Sequence, residues 1–259
     1  MIKEIQAIPA FNDNYIWTLV SADGACVVDP GDAKPVIEYL ESRGLNLVSI
    51  LVTHHHPDHV GGLAALNAKY QPTVFGPGGS GIKGISETVN EGDLVTVFDE
   101  EFRVIAVPGH TMDHIAYYCG NASVGEPILF CGDTLFAAGC GRLFEGTPEI
   151  MHRSLAKLGS LPGATRVYCT HEYTMANLRF AAAADPGNEA LRQRIGTEQA
   201  KRDAGKPTLP SSISLELATN PFLRCAEPAL AESAATQIGH PAADEIEIFA
   251  TIRRWKDNF

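Results

Sequence analysis

The sequence predicts a mixed α and β protein, in which two sets of strands with outer helices form a layered sandwich and a helical C-terminal domain follows. Two observations lead to this prediction. Over the first two thirds of the 259 residues, short apolar or β-branched runs alternate with turn signals and occasional helical patterns. The composition changes near Thr174, and helical patterns dominate beyond it. We therefore predict one domain over residues 1–173 and a helical domain over 174–259.

The predicted elements follow in chain order. The first three strands form an antiparallel meander with a turn at SADG: IKEIQAI, YIWTLV and ACVVDPG. PVIEYLESRG predicts a helix that ends at a glycine, LVSILV a short apolar strand, and VGGLAALNAKY a second helix. The second set of strands is LVTVF, FRVIAV, IAYYC, EPILFC and TRVYCTH, with a helix at PEIMHRSLAKLGSLPG before the last. The C-terminal helical patterns are TMANLRFAAAADPG, NEALRQRIGTEQAKRDAGKP and PAADEIEIFATIRRWKDNF.

Charge and composition restrict the class of function. With 31 acidic and 20 basic residues the formal charge is −11, which repels polyanions and argues against a nucleic-acid partner. No stretch approaches the ~18 apolar residues of a membrane span, and the first residues lack the apolar centre of a signal peptide. The six cysteines form no Cys-x-x-Cys pair. We expect a cytoplasmic monomer with reduced thiols and no membrane or nucleic-acid partner.

A dense histidine motif follows the apolar strand LVSILV. The seven residues Thr53 to His59 read THHHPDH and hold four imidazoles and one carboxylate. Alternation along an extended chain puts His54 and His56 on one side, and Asp58 and His59 fall in the turn before the next helix. One tetrahedral ion cannot easily use all four ligands, so the motif favours two ions. A solvated histidine-rich loop is the alternative, but a buried strand precedes this stretch.

Further ligands are predicted at the ends of other strands. His110 in PGHTMDH follows FRVIAV, Asp133 in FCGDT follows PILF, and His171 ends TRVYCTH. Together with the motif they offer five imidazoles and two carboxylates, enough for three histidines on one ion, two histidines and an aspartate on the other, and a bridging carboxylate. Four histidines are not predicted ligands, although the last could support one through a hydrogen bond: His55, His152, His240 and His114.

The motif His-x-His-x-Asp-His resembles the signature of the metallo-β-lactamase superfamily, and within it the chain is similar to the glyoxalase II, or hydroxyacylglutathione hydrolase, family. The supporting stretches run along nearly the whole chain: FNDNYIW, VTHHHPDHVGG, PGHTMDHIAYY, FCGDTLFAAGCGR, THEYTMANLRFA, TNPFLR and RRWKDNF. The resemblance implies a four-layered αββα sandwich with a binuclear metal site at one edge of its two sheets. It also implies hydrolysis of S-D-lactoylglutathione to glutathione and D-lactate, the second step of methylglyoxal detoxification.

The same resemblance implies roles for individual residues. It divides seven ligands between two ions: His54, His56 and His110 on one, Asp58, His59 and His171 on the other, with Asp133 as the bridge. Of these, Asp58, His59 and Asp133 are predicted to act in catalysis. The predicted glutathione contacts are Arg142, Tyr173, Arg253 and Lys256. Phe144 stands where the family often has tyrosine, and it can line the pocket without donating a hydroxyl hydrogen bond.

The C-terminal cations have an interpretation that is independent of the family. Arg253 and Lys256 are three residues apart, so they share one face of a helix, and Ile248, Ile252 and Trp255 form an apolar stripe that would dock it. On a chain of charge −11, such a concentration of cations is a candidate anion receptor. The alternative is a positive last turn that only complements the helix dipole.

The predicted cofactor is a pair of divalent ions, with zinc as the expected metal and iron or manganese as alternatives. Two ions ~3.5–4 Å apart can share a water and lower its pKa from 15.7 towards roughly 7, so the predicted nucleophile is a metal-bridging hydroxide. Three other functions are compatible with parts of the sequence. They are a persulfide dioxygenase with a single iron, a β-lactam or lactone hydrolase, and a non-catalytic metal-binding module.

Overall fold

The computed structural model describes residues 1–259, and it contains both helices and strands as predicted. The strands are β1 (Glu4–Ala10), β2 (Asn14–Ser21), β3 (Gly24–Val28), β4 (Leu47–Leu51), β5 (Thr73–Pro77), β6 (Glu87–Val89), β7 (Leu94–Val97), β8 (Glu100–Ala106), β9 (Ile115–Cys119), β10 (Ile128–Gly132), β11 (Leu135–Phe136), β12 (Gly139–Cys140), β13 (Arg166–Cys169) and β14 (Ser211–Ser212). The helices are α1 (Ala33–Arg43), α2 (Pro57–Val60), α3 (Leu63–Tyr70), α4 (Pro148–Gly159), α5 (Thr174–Ala184), α6 (Glu189–Asp203), α7 (Ile213–Thr219), α8 (Pro228–Ile238) and α9 (Glu245–Asp257). A short 3-10 helix spans Pro221–Leu223. None of these helices combines the length and the apolar character that crossing a bilayer requires.

The residues of the chain group into two compact units. Unit 1 comprises Met1–Val107, Asp113–Gly132 and Thr165–His171. Unit 2 comprises Pro108–Met112, Asp133–Ala164 and Glu172–Phe259. The α+β class with a helical C-terminal region is confirmed, while the domain boundary between residues 173 and 174 stays a prediction.

Unit 1 contains two sheets. The first has the order β1-β2-β3-β4-β5-β6, in which the predicted antiparallel meander β1 to β3 is followed by parallel strands. The second has the order β13-β10-β9-β8-β7, with β10 and β13 parallel and the other pairs antiparallel. Parallel neighbours point their carboxyl ends to the same edge, so the chain leaves β3 and β4 side by side, and likewise β10 and β13.

Both faces of the first sheet are covered. On one face, Ala25 and Val27 of β3 belong to an apolar cluster with Val36 of α1 and Leu66 of α3. All five residues of β3 are buried, which is typical of a strand covered on both sides. The second sheet supplies contacts to the first, because the Tyr117 hydroxyl of β9 donates to the Val52 carbonyl over 2.9 Å. This bond fixes the end of β4 where the histidine motif begins.

The sequence predicted some helix ends well and missed other elements. Helix α1 begins after Asp32, whose carboxylate accepts from the Lys34 amide, and it ends at Gly44 with φ of +63°, as the pattern indicated. The helix expected from Val60 begins only at Leu63, because Gly61 and Gly62 approach the backbone of the Pro30–Gly31 turn too closely to carry side chains. Eight elements were not predicted: β5, β6, β11, β12, β14, α2, α7 and α8.

In unit 2, a buried ion pair connects the helices to the β11–β12 hairpin. Arg194 of α6 and Glu216 of α7 have side chains only 2% and 0% exposed, and they approach to 2.6 Å. The other carboxylate oxygen of Glu216 accepts from the Ala138 amide over 2.8 Å and from Asn220 over 3.0 Å. A fully buried carboxylate therefore helps to hold the hairpin that precedes Arg142, together with Asn220, whose amide donates to the Phe136 and Gly139 carbonyls.

We expect Glu216→Ala to lower the free energy of unfolding by about 3–5 kcal/mol, because it leaves a buried guanidinium without its counter-ion. Urea denaturation followed by circular dichroism measures this change. The control is Glu189→Ala, which removes the exposed partner of Arg192 and should leave the unfolding free energy nearly unchanged. Equal effects of the two substitutions would contradict the structural role of the buried pair.

Candidate metal centre and anion site

The histidine motif occupies the turn between β4 and the short helix α2. Pro57 is the first residue of α2 and follows His56, which keeps an extended backbone with φ of −62° and ψ of 144°. His54 and His59 are fully buried, while His56 and Asp58 are partly exposed. The motif thus places two imidazoles in the protein interior and two further ligands at its surface.

Three of the predicted ligands form a compact donor group in unit 1. The potential ligand atoms of Asp58, His59 and His171 all lie within 4.8 Å of one another. The Nε2 atoms of His59 and His171 lie 3.6 Å and 3.5 Å from Asp58 Oδ2. A tetrahedral zinc ion with bonds of about 2.0–2.1 Å places its ligand atoms about 3.3–3.5 Å apart. Two nitrogens and one oxygen at these separations fit a divalent ion.

His54 and His56 lie next to this donor group. The centroid of the His54 ring is 4.1 Å from that of His59 and 4.8 Å from that of His56. The Nδ1 atom of His54 lies 3.0 Å from the Thr53 hydroxyl. Unit 1 therefore gathers five of the seven predicted ligands in one place: His54, His56, Asp58, His59 and His171.

The other two predicted ligands are paired in unit 2. His110 Nε2 lies 3.5 Å from Asp133 Oδ2, and both side chains are buried. The Nδ1 atom of His110 donates to the Arg142 carbonyl over 2.9 Å, and its Nε2 atom faces Asp133. A Cβ atom at Gly141 would lie 2.0 Å from the Asp133 carbonyl oxygen, so only glycine permits this approach.

The remaining histidines make other contacts. His55 Nδ1 lies 3.0 Å from Asp113 Oδ1. His114 stacks on the His54 ring at 4.5 Å, and its predicted supporting hydrogen bond to a ligand stays a prediction. His152 contacts Phe249 of α9, and His240 is exposed. No disulfide joins the six cysteines, all of which are buried.

Four cations of unit 2, here called the cation group, influence one another: Arg142, Arg179, Arg253 and Lys256. Burial lowers the pKa of the Lys256 ammonium, and the positive charges of Arg253, Arg179 and Arg142 lower it further. The carboxylate of Asp257 acts in the opposite direction and lies 2.8 Å from Arg253 Nη2 and 3.7 Å from Arg142 Nε. The group therefore carries an excess of positive charge that an anion would neutralise.

The predicted glutathione contacts differ in exposure. Arg253 is buried, and its Nη1 donates to the Cys140 carbonyl over 2.9 Å. Tyr173 is partly exposed just before α5, with its ring 5.4 Å from that of Phe136. Phe144 is exposed and lies edge-on to the His110 ring at 5.2 Å. Arg253 thus holds the chain near Cys140, whereas Tyr173 and Phe144 present accessible surface.

Arg179 was not identified from the sequence. It is exposed on α5, and its charge acts on Lys256 of α9. Phe180, the next residue, packs on Trp255 with ring centroids 5.3 Å apart, and Lys256 Nζ lies 5.4 Å from the centre of the Phe180 ring. The packing of α5 on α9 brings these cations near one another, and no spacing within either helix indicates it.

Two protein families match the chain and together cover nearly all of it. Residues 12–171 match the model of the metallo-β-lactamase superfamily. Residues 172–259 match the model described as the C-terminus of hydroxyacylglutathione hydrolase. The second match contains Tyr173 and three of the four residues of the cation group.

Relatives match over the full length. A hydroxyacylglutathione hydrolase of Chromohalobacter salexigens is 54% identical over 97% of this chain and 98% of its own. One of Pseudomonas paraeruginosa is 52% identical over 99% of both chains. Among solved structures, a metallo-β-lactamase from Staphylococcus aureus aligns with a TM-score of 0.64 and 20% identity, covering 98% of this chain and 72% of that one. This last similarity shows the fold alone.

Removal of one ligand from the unit 1 donor group should weaken metal binding. In chelator-stripped protein titrated with Zn²⁺, we expect His171→Ala to reduce the affinity for one ion by more than the roughly 10–100-fold that an outer-shell change causes, because only two donors remain. Competition with a chromophoric chelator measures this affinity. His55→Ala changes a neighbouring imidazole that belongs to no donor group and serves as the control. Unchanged zinc affinity in His171→Ala would contradict the assignment.

Proposed function

The chain belongs to the hydroxyacylglutathione hydrolase family of the metallo-β-lactamase superfamily, and from this premise we propose that it hydrolyses S-D-lactoylglutathione and related 2-hydroxyacylglutathiones. The products are glutathione and the free 2-hydroxy acid, D-lactate for the first substrate, and the reaction is the second step of methylglyoxal detoxification. One observation carries the proposal. Relatives named hydroxyacylglutathione hydrolase match this chain over nearly its full length, with about half of the residues identical. The enzyme is thus a thioester hydrolase.

The His/Asp cluster and the fold family indicate divalent metal binding. We propose two ions, with zinc as the metal and iron or manganese as alternatives. His54, His56 and His110 would hold one ion, and Asp58, His59 and His171 the other. Asp133 would bridge them.

The connectivity of unit 1 supports this arrangement. Asp133 is the residue after Gly132, the last residue of β10, and His171 follows the parallel neighbour β13 by two residues. A Cβ atom at Gly132 would lie 2.4 Å from the Thr53 hydroxyl, so the chain just before Asp133 touches the residue just before His54. The start of β9 also reaches the motif, because the Ile115 amide donates to the Thr53 carbonyl over 3.0 Å.

When bound, two such ions supply a water of lowered pKa as nucleophile and polarise the thioester carbonyl. The chain itself then has two tasks. Asp58, His59 and Asp133 would hold the ions through their carboxylate and imidazole donor atoms, and the buried rings of His54 and His59 would limit the access of bulk water. No protein acid is required for the leaving group, because a thiolate with a pKa near 8.5 leaves readily.

The cation group would bind the glutathione part of the substrate. Glutathione carries two carboxylates, and guanidinium and ammonium groups are suited to bind them. Within unit 2, the Arg142 carbonyl accepts from His110, so a proposed glutathione contact is joined to a proposed metal ligand by one hydrogen bond. Tyr173 would add a hydroxyl contact, whereas Phe144 offers only apolar surface. We further propose a cytoplasmic monomer with no nucleic-acid or membrane partner.

A thioester hydrolysis assay on purified protein, combined with elemental analysis of the same sample, tests the function. We expect release of free thiol from S-D-lactoylglutathione and close to two divalent ions per chain. Glutathione persulfide with an oxygen electrode tests the dioxygenase alternative, and a panel of β-lactams and lactones tests the other hydrolases. Oxygen uptake, or metal without any thioester turnover, would overturn the proposal.

Asp133→Ala should reduce the metal content from two ions per chain towards one or none, because the bridging carboxylate contributes a ligand to each ion. Elemental analysis after dialysis measures the stoichiometry. Asp113→Ala is the matched control, since its carboxylate contacts only the non-ligand His55 among the histidines described above. Full occupancy of both sites in Asp133→Ala would rule out the bridge.

Lys256→Ala should raise KM for S-D-lactoylglutathione roughly tenfold at low salt, as expected for a lost hydrogen bond to a charged group worth about 1.5 kcal/mol. The kcat should change much less, because the carboxylates lie far from the thioester and are bound equally in the ground and transition states. Added salt should shrink the difference. The control, Arg254→Ala, removes an exposed cation of the same helix. A fall in kcat at unaltered KM would contradict the assigned role.

A further inference from the structure

We propose that Asp13, Asn14 and Asp29 are positioning residues, each of which holds one side chain of the donor group Asp58, His59 and His171 and thereby strengthens its hold on a metal ion. This inference rests on the proposed metal binding. It assigns a role to Asp13 and Asn14 of the stretch FNDNYIW and to Asp29 of VVDPG. None of these residues is a proposed metal ligand.

Asp13 contacts His171. Its Oδ1 atom lies 2.8 Å from His171 Nδ1, so that ring nitrogen donates and the opposite nitrogen, Nε2, points to Asp58. A carboxylate on the far nitrogen of a ligating imidazole fixes the tautomer and ring orientation and raises the basicity of the ligand. Asp13 is therefore placed to act on the metal affinity without touching the metal.

Asn14 contacts Asp58. It is buried at the first position of β2, and its amide Nδ2 donates to Asp58 Oδ2 over 3.1 Å. Its backbone forms a β-bridge with His171, and the next amide, that of Tyr15, donates to the Thr170 carbonyl over 2.7 Å. The start of β2 is thus fastened to the end of β13, so Asp13 and Asn14 cannot move away independently of His171.

Asp29 contacts His59. Its Oδ2 atom lies 3.0 Å from His59 Nδ1, and the same carboxylate accepts from the Thr53 amide and hydroxyl, each over 2.7 Å. Asp29 is buried and has a φ of +50°, a conformation that is uncommon for residues other than glycine. Such strain persists where the surroundings enforce it, and it often marks functional sites. Here it directs the carboxylate towards both the His59 ring and Thr53.

These contacts make the surroundings of the donor group strongly anionic. The two imidazoles face three carboxylates, those of Asp13, Asp29 and Asp58, and negative charge near a cation site favours the bound ion. By contrast, the contact of His54 Nδ1 described above is with a neutral hydroxyl. We infer that the ion at Asp58, His59 and His171 is bound more tightly than it would be by the same ligands alone.

The test compares Asp13→Asn with Asp113→Asn. Both substitutions keep the side-chain volume and remove one carboxylate from an aspartate–histidine contact, but His171 is a proposed ligand and His55 is not. We expect Asp13→Asn to weaken the binding of one Zn²⁺ ion by roughly 10–100-fold. Asp113→Asn should match the wild type. Chelator competition on the full-length protein supplies the affinities, so the readout does not depend on turnover.

A second measurement separates positioning from a general structural role. The metal-free forms of the wild type and Asp13→Asn should melt at the same temperature, whereas the rise in Tm on adding Zn²⁺ should be smaller for the variant. Wild-type protein that hydrolyses the thioester and binds zinc no tighter than Asp13→Asn would overturn this inference alone. Wild-type protein that binds no metal would overturn the proposed function and the inference together.

Discussion

The parallel pairing of β3 with β4 and of β10 with β13 determines where the chemistry of this protein can occur. Parallel strands end at the same edge of their sheet, so the turns that follow them must lie side by side. Asp29 follows β3 and the histidine motif follows β4, while Asp133 and His171 follow β10 and β13. Asp29 and His54, which are 25 positions apart in sequence, are thereby brought to one edge of the first sheet.

This arrangement requires polar side chains to be buried. Their hydrogen-bond partners compensate for the free-energy cost of removing them from water. A buried imidazole or carboxylate is tolerated when its polar atoms are paired. Asp29 receives two hydrogen bonds from Thr53, and His171 is paired with Asp13. In the cation group, the surroundings of Lys256 act in the opposite direction and disfavour its charge. Burial and the positive charges of the neighbouring arginines lower the pKa of Lys256, so its charged form is less favourable here than in water.

The sequence predicted the elements that carry a strong local signal. The apolar run before the motif and the glycine after α1 each have a physical meaning within a few residues. Elements without such a signal were missed: β5 contains a glycine and a proline, β6 has only three residues, and α8 is rich in alanine. The effect of Arg179 on Lys256 arises from the packing of α5 on α9. The roles proposed for Asp13 and Asn14 arise from the pairing of β2 with the end of β13. Tertiary contacts of this kind leave no periodicity in the sequence.

Backbone approach, more than side-chain packing, determines how closely the proposed ligands can gather. A Cβ atom at Gly31 would lie 1.8 Å from the Asp58 carbonyl oxygen, and one at Gly132 would lie 2.4 Å from the Thr53 hydroxyl. Both distances are far below any permitted contact. We therefore expect a side chain at either position to push these turns apart and to weaken the proposed metal binding.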